Sequence, residues 1–482
     1  MRQYQLFING EFIARTAGKR IPVLNPATEE VISEVPAGSD ADVEAAVAAA
    51  ERAQRPWAKR PAIERAGYLR ELANAVRAAQ EMLARTVAEE QGKVLSLARQ
   101  EVLNAATYLD YTAEFARRVE GEIIESDRPN ETIFLFKLPI GVIAGILPWN
   151  FPFFMIVRKL APALLTGNTI VIKPSSETPN NAFEFAKLAA AASLPKGVFN
   201  LVSGSGAVVG DALAGHPKVG LVSLTGSVEV GIGVMRAAAA NVTKVSLELG
   251  GKAPAIVMPD ADLDLAARCI RASRIRNTGQ VCNCAERVYV HEAVADAFLG
   301  KITQAMEHTR FGDPLAESDL DMGPLVSQKQ LEQVDAAVQQ AVKDGAKLVL
   351  GGHRTDRKVG YYYPATVLTG CDHKSAIMQK EVFGPVLPIT TFRDLEEAIE
   401  LANDCEYGLT SSIYTQNLDV AMRACKEIKF GETYINRENG ETRQGFHAGW
   451  RKSGIGGADG KHGLEEYLQT HVVYVQYNHE KR

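Results

Sequence analysis

The sequence predicts a doubly wound α/β fold, and three patterns carry that expectation. From about Gly141 onward, short apolar runs rich in β-branched residues alternate with amphipathic helical stretches. The alternation resumes at Ala253 as a second block. No repeat of fixed short period and no low-complexity linker interrupts either block. Alternating β and α over such lengths calls for parallel sheets with helices on both faces.

In chain order, residues 7–12 read as a hairpin, with Asn9-Gly10 between apolar residues as in a type I′ turn. Asp40 or Asp42 is placed to cap the Ala-rich helix running to Arg55, Pro61 suits the first turn of the next, and another helix covers roughly 96–118. Strands are expected at 142–147, 169–173, 199–202 and 219–224, with helices at 181–192 and 228–240 between and after them. In the second block, strands are expected at 255–258 and 287–290, around a helix over 263–277. Residues 131–137 and 467–477 read as strands without a home sheet. Ordinary edge strands and an arm that pairs with a neighbouring chain both account for them.

Composition narrows the function classes. The 482 residues carry 53 Lys and Arg against 58 Asp and Glu, a net charge of −5. That balance lacks the basic excess of a nucleic-acid binder, so no nucleic-acid partner is expected. Six cysteines are too few for a disulfide framework, and Cys282-Asn283-Cys284 has no nearby histidine to complete a zinc site, so no metal is expected. The N-terminus has no apolar core of a secretory signal. Residues 138–157 are uncharged and long enough to suggest a membrane span, but Pro139, Pro148, Pro152 and Asn150 break any single helix there. A buried strand, turn and helix fits better, and the chain reads as a soluble cytoplasmic protein with no membrane partner.

Three side chains form a chemically sensible set. Cys282 follows the turn residues Asn277-Thr278-Gly279-Gln280. Taken alone, a buried cysteine is a small hydrophobe. Glu248 precedes Gly250-Gly251; taken alone, it is a capping or solvated acid. Asn150 is an amide inside the uncharged stretch, and a buried amide must be hydrogen-bonded or used. Together a thiolate attacks a carbonyl carbon, an amide N–H stabilises the oxyanion, and a carboxylate activates the water that releases the acyl group. The absence of a histidine next to Cys282 in sequence speaks weakly against a Cys-His hydrolase. Gly204, Gly206 and Gly210 spell a non-standard glycine pattern, and Thr225-Gly226-Ser227 follows a strand and opens a helix, where a pyrophosphate or an ordinary tight turn fits equally. Lys173-Pro174 closes a strand, where ligands gather in open α/β sheets.

In combination, these segments resemble the NAD(P)-dependent aldehyde dehydrogenase superfamily. PWNFP at 148–152, IKPS at 172–175, LTGS at 224–227, LELGGK at 247–252, NTGQVC at 277–282, EVFGPV at 381–386 and KSGIG at 452–456 occur in family order across nearly the whole chain. The resemblance implies an aldehyde-dehydrogenase-like fold of two Rossmann-like domains and a small β oligomerisation arm. A dinucleotide-binding domain takes 1–120 and 140–249, a catalytic domain 250–450, and the arm 121–139 and 451–482. It also implies that Cys282 is the nucleophile and Cys284 a bystander. Glu248 is then the base for deacylation, and Asn150 forms the oxyanion hole with the Cys282 backbone N–H. Trp149, Lys173, Ser175, Ser176, Gly206, Gly226, Ser227, Leu249, Glu381 and Phe383 are the implied NAD or NADP contacts, with Lys173 at the adenosine ribose and Glu381 at the nicotinamide ribose. The implied cycle runs through a thiohemiacetal, hydride transfer, a thioester and hydrolysis to a carboxylic acid. Relatives that transfer the acyl group to coenzyme A lack a glutamate at Glu248's position, so its presence favours water as the acceptor. The implied assembly is a homodimer or homotetramer.

Closer resemblance is to bacterial lactaldehyde and glycolaldehyde dehydrogenases, carried by 151–159, 279–290, 431–438 and 445–454. It places Arg158, Asn283, Glu441 and His447 near the substrate tunnel, which suits a small hydroxyaldehyde. Arg158 equally suits a semialdehyde bearing a carboxylate, such as succinate semialdehyde, and a broad-specificity enzyme is the remaining alternative. Many NAD-using members carry an acid directly after Lys-Pro-Ser; here Ser176 stands there and the acid moves to Glu177. A carboxylate at that spot repels the extra phosphate of NADP, so the expectation is dual use or NADP preference.

Overall fold

The computed structural model describes residues 1–13 and 18–477. Residues 14–17 and 478–482, at the margins of the first expected domain and of the expected arm, lie outside it.

Eight strands form the first sheet. Five of them are parallel, in the order Lys244–Glu248, Val219–Thr225, Val142–Ile146, Thr169–Lys173, Phe199–Leu201. Val142–Ile146 and Thr169–Lys173 are buried at every position, as strands covered on both faces must be. Apolar clusters pack both faces. The hairpin Leu6–Ile8 and Glu11–Ile13 extends one edge, turning at Asn9 and Gly10 with φ of 54° and 76°. Gly454–Ile455 pairs antiparallel with Leu247 and Glu248 at the other edge, so this part of the expected arm lies on the first sheet. Chain order reverses between Val142–Ile146 and Val219–Thr225. Ligands bind beyond the carboxyl ends of strands at such a switch point, and the segments leaving these two strands carry Asn150 and Gly226-Ser227.

A seven-stranded second sheet runs Lys347–Leu350, Thr366–Thr369, Val386–Phe392, Ala285–His291, Ala253–Val257, Thr410–Tyr414, Glu432–Ile435, all parallel but the first. The two orphan strands find each other. Leu468–Gln476 pairs antiparallel along the whole of Glu131–Pro139, and Glu122–Glu125, too short to stand out in sequence, adds a third strand. A further small sheet, Arg2–Gln3 with Val31–Pro36 and Arg20–Leu24, has no counterpart in the sequence reading.

Three local expectations change. Ser39, not an aspartate, caps the helix Asp40–Ala58, and Asp42 returns the bond by accepting from the Ser39 backbone N–H at 2.7 Å. The helix expected to reach Asn277 ends at Ile275, because Asn277, Thr278 and Gly279 all take positive φ. The uncharged stretch divides into the end of one strand, the whole of Val142–Ile146 and the start of Pro152–Leu165, and no helix among the described residues is long and apolar enough to cross a membrane.

Candidate active site

A cavity of about 860 Å³ opens where the carboxyl ends of the first sheet face the Cys282 loop. Asn150, Glu248 and Cys282 all line it. So do Trp149, Lys173, Ser175, Ser176, Gly206, Gly226, Ser227, Leu249, Glu381 and Phe383, and Arg158, Asn283 and Glu441. His447 does not line it; it is buried, its backbone is bridged to Ala458, its Nδ1 stands 2.6 Å from Glu432 Oε1, and its charge pulls the Cys282 thiol down against the effect of burial.

Cys282 sits on a forced loop. Asn277 and Thr278 adopt φ of 50° and 58°, a left-handed conformation that non-glycine residues rarely hold and that costs about 1–3 kcal/mol each. Side chains of the same motif hold it there. Asn277 Nδ2 donates to Asn150 O at 3.0 Å, Thr278 Oγ1 to Gly323 O at 3.0 Å, and Gln280 Nε2 to Asn277 O at 3.0 Å. Gln280 Oε1 in turn accepts from Val326 N–H at 2.9 Å. Gly250 and Gly251 have separate steric reasons: a Cβ on the first would lie 2.5 Å from Glu381 Oε2, and on the second 2.5 Å from the Cys282 carbonyl.

Asn150 is 6% exposed, and its Nδ2 donates to Gln280 O at 3.1 Å. An amide carries two N–H donors, so one remains for an oxyanion. Its loop is anchored from below. Glu101 accepts from the backbone N–H groups of Phe153 and Phe154 at 2.9 and 3.1 Å, satisfying the start of Pro152–Leu165. Lys93, ion-paired with Glu101, donates to Asn150 O at 2.8 Å. Removing one oxyanion donor typically lowers kcat about 10²–10³-fold, and Asn150→Ala is expected to do so in steady-state assays of aldehyde oxidation, with little change in the Cys282 alkylation rate.

Glu248 ends its strand in a nest of cations. Its Oε2 accepts from Thr225 Oγ1 at 2.6 Å, and Lys159 Nζ and Arg158 Nε stand 4.0 Å from its two oxygens. Burial alone would raise its carboxyl, but Arg158, Lys159 and His447 outweigh that and hold it at about 2. It is therefore ionised at neutral pH, and its Oε1 accepts no hydrogen bond in the described residues. Lys159 was not picked out in sequence as a site residue, and Thr225 was read only as part of the turn that opens a helix. The signal was there for Lys159, because Arg158-Lys159 puts two charges into an otherwise apolar helix.

Arg158 is a hub rather than a free cation. Its Nε donates to Asp459 Oδ1 at 3.1 Å, Nη2 bonds Asp459 Oδ2, and Nη1 reaches Glu441 Oε1 at 3.5 Å. Nothing in the local sequence marks Asp459 as its partner. Asn283 Nδ2 donates to Glu441 Oε2, while its buried Oδ1 has no partner among the described residues.

The other end of the cavity fits a dinucleotide. Lys173 is buried and uses one of its three N–H donors, on Pro174 O at 3.0 Å; burial pushes its ammonium down to about 8. Ser176 Oγ donates to Gly204 O at 3.2 Å. Gly226 and Ser227 open the 12-residue helix Val228–Ala239, whose free N–H groups suit phosphate. Glu381 accepts from Gly251 N–H at 2.9 Å, and burial, with Glu286 nearby, raises its carboxyl to about 8. Trp149 and Phe383 meet edge to face, 5.3 Å between centroids. No group of three His, Cys, Asp or Glu among the described residues is placed to hold a metal.

Residues 12–473 match the model of the Aldehyde dehydrogenase family. The chain is 58% identical to lactaldehyde dehydrogenase of Escherichia coli strain K12, covering 98% of this chain and 99% of that protein. It is 43% identical to 3,6-anhydro-alpha-L-galactose dehydrogenase of Vibrio sp. strain EJY3, covering 99% of this chain and 100% of that protein. The crystal structure of the Escherichia coli lactaldehyde dehydrogenase superimposes with a TM-score of 0.98 at 58% identity, covering 98% of this chain and 99% of that one.

Proposed function

We infer, since this chain belongs to the aldehyde dehydrogenase family, that it oxidises a small hydroxyaldehyde, lactaldehyde or glycolaldehyde, to the carboxylic acid with reduction of a nicotinamide dinucleotide. The observation that carries the substrate class is the polar wall next to Cys282. Asn283 Oδ1 is a buried acceptor with no partner among the described residues, flanked by Glu441 and Arg158. A substrate hydroxyl satisfies that acceptor, whereas an alkyl tail leaves it orphaned, and a site built to bond a hydroxyl discriminates strongly against analogues lacking it.

Residue roles follow from position. The Cys282 thiolate attacks the aldehyde carbon, and Asn150 Nδ2 with the Cys282 N–H holds the oxyanion. Glu248 Oε1 orients and deprotonates the water that cleaves the resulting thioester. A bound nicotinamide supplies the hydride acceptor. Trp149, Lys173, Ser175, Ser176, Gly206, Gly226, Ser227, Leu249, Glu381 and Phe383 hold that dinucleotide. Lys173 and Ser176, with no carboxylate between them, favour use of NADP as well as NAD.

The semialdehyde alternative loses its support. Arg158 is already ion-paired with Asp459 and Glu441, so a substrate carboxylate would meet two carboxylates instead of a free guanidinium. We assign residues 1–120 and 140–249 to cofactor binding and 250–450 to catalysis. The arm strands expose Ile123, Phe136 and Tyr474, apolar groups suited to a neighbouring copy in a homodimer or homotetramer. All six cysteines are free thiols, which suits the cytoplasm.

Purified enzyme mixed with lactaldehyde, glycolaldehyde, succinate semialdehyde and propanal, each with NAD and with NADP, should reduce cofactor fastest on the two hydroxyaldehydes and with both cofactors. Absence of reduction with every aldehyde overturns the function, and strict NAD use overturns the cofactor assignment.

A further inference from the structure

Two loops of the cavity wall meet, the one that carries Cys282 and the one that carries Glu381 and Phe383. They touch backbone to backbone, since a Cβ on Gly279 would lie 2.1 Å from the Gly384 carbonyl oxygen. One side chain ties them together. Arg274 is fully buried and spreads its donors over both loops. On the Cys282 side, Nη2 reaches Gly279 O at 3.4 Å and Nη1 donates to Ala285 O at 3.0 Å, so the loop is gripped before and after the cysteine. On the other side, Nη2 donates to Val382 O at 2.6 Å and Nε to Gly384 O at 2.9 Å. Glu286, also buried, completes the joint. Its Oε1 stands 2.8 Å from Arg274 Nη1, and its Oε2 accepts from Val382 N–H at 3.1 Å and from Lys252 Nζ at 2.7 Å. A buried ion pair is costly to desolvate and is weak evidence of a stabilising role. The bonds of this one go to the two loops that the proposed cycle uses.

We propose that Arg274 and Glu286 are a positioning pair that fixes the place of Glu381 and Phe383 relative to Cys282, and with it the alignment that hydride transfer needs. The inference rests on the reading above, in which Cys282 holds the substrate carbon and Glu381 and Phe383 hold the cofactor. Neither Arg274 nor Glu286 lines the cavity, so both act through the backbone of the loops they bind. The planar fork of an arginine serves both loops at once, which the single ammonium of a lysine cannot do. The Cys282 loop has other supports. Asn277, Thr278 and Gln280 hold its shape, and Asn277 and Asn150 bond it to the oxyanion side of the cavity. What the pair adds is therefore the position of 381–384. Chemistry confined to Cys282, Asn150 and Glu248 should survive its loss, whereas transfer of hydride should not, because a misplacement of about 1 Å can cost about 10²-fold in rate.

The test sets aldehyde oxidation against hydrolysis of p-nitrophenyl acetate by the full chain without cofactor. In the ester reaction the Cys282 sulfur bonds the acyl carbon, the bond to nitrophenolate breaks, and water cleaves the thioester, with no hydride moved. Arg274→Lys and Glu286→Gln are each expected to lower kcat for aldehyde oxidation about ten- to a hundredfold. Aldehyde KM and the rate of ester hydrolysis should both stay within about threefold of the wild type. Parallel loss of the two reactions overturns the proposal, and so does an unchanged kcat or a loss carried by aldehyde KM. Circular dichroism and a cooperative melt identify folded variants. If neither variant folds, or the wild type leaves the ester intact, hydrogen exchange of the wild-type chain without cofactor decides. Peptides over 381–386 should then be as protected as the strand Ala285–His291 that Glu286 belongs to, and faster exchange overturns the proposal. A wild type that reduces no cofactor with any aldehyde fails the functional reading instead, and the exchange measurement judges the positioning pair by itself.

Discussion

Replacing Cys282 by alanine is expected to abolish aldehyde oxidation, by about 10⁴-fold or more, because Cys282 is the one thiol among the described residues lining the cavity. The informative control lies two residues away. Cys284 is fully buried; its thiol donates to Val281 O at 2.9 Å and takes a contact from Arg274 Nη1 at 3.2 Å. Burial pushes that thiol up to about 12, so it is protonated throughout the working range. Cys284→Ala should cost on the order of 1 kcal/mol of stability and leave turnover in the wild-type range. Steady-state cofactor reduction at 340 nm, with melting temperature as the check on folding, separates the two. Substantial turnover by Cys282→Ala would require a different nucleophile and would end the covalent mechanism.

Glu248→Gln should slow turnover about 10²–10⁴-fold, the usual range for a positioned base, and should change which step limits it. Cys282 remains able to attack, so one equivalent of reduced cofactor should form rapidly before a slow phase set by thioester hydrolysis. A uniform loss without a burst would assign Glu248 to the first half of the cycle instead. The pH dependence has a defined sign. Glu248 is held at about 2, below its ordinary value, by Arg158, Lys159 and His447 against the opposing effect of burial. The stability it contributes is therefore present above the ordinary carboxylate range and is lost as pH falls through about 2. Its charge is constant from pH 5 to 9, so any acid limb of the rate profile in that window belongs to another group. A carboxylate this acidic is a weak base, and its value lies in an Oε1 that accepts no hydrogen bond among the described residues.

Much of this molecule was legible in its sequence, and for physical reasons. Buried parallel strands are rich in apolar, β-branched residues, so Val142–Ile146, Thr169–Lys173 and Val219–Thr225 announced themselves within a residue of their ends. The turn at Asn9-Gly10 needed positive φ twice, and the sequence supplies residues that accept it. Cys282, Glu248 and Asn150 stood out because each is chemically out of place in its surroundings. What stayed hidden was whatever depends on distant pairing. Glu432 and His447 lie 15 residues apart but meet only through the second sheet and the Ala458 clamp. Arg158 read as a possible substrate ligand because its partner Asp459 is 301 residues further on. Glu122–Glu125 is a strand only because Glu131–Pro139 is there to pair with it. The expected helix ran on to Asn277, and it stops at Ile275 because a constellation of side chains, not the local backbone preference, decides the conformation of 277–279.

The placement of Arg158 has an evolutionary corollary. The proposed substrate-wall acid Glu441 comes from a late loop, whereas the proposed base ends Lys244–Glu248, the proposed oxyanion donor lies after Val142–Ile146 and the proposed nucleophile in the loop before Ala285–His291. Such a division normally lets a lineage change its diet by editing one loop. Arg158 breaks the division: through Asp459 and Glu441 it braces the wall that reads the substrate, and at 4.0 Å it tunes Glu248. A mutation there that admits a bulkier aldehyde also alters the base that releases the product. Drift toward new substrates in this lineage should therefore avoid that arginine, or change it only together with its carboxylate partners.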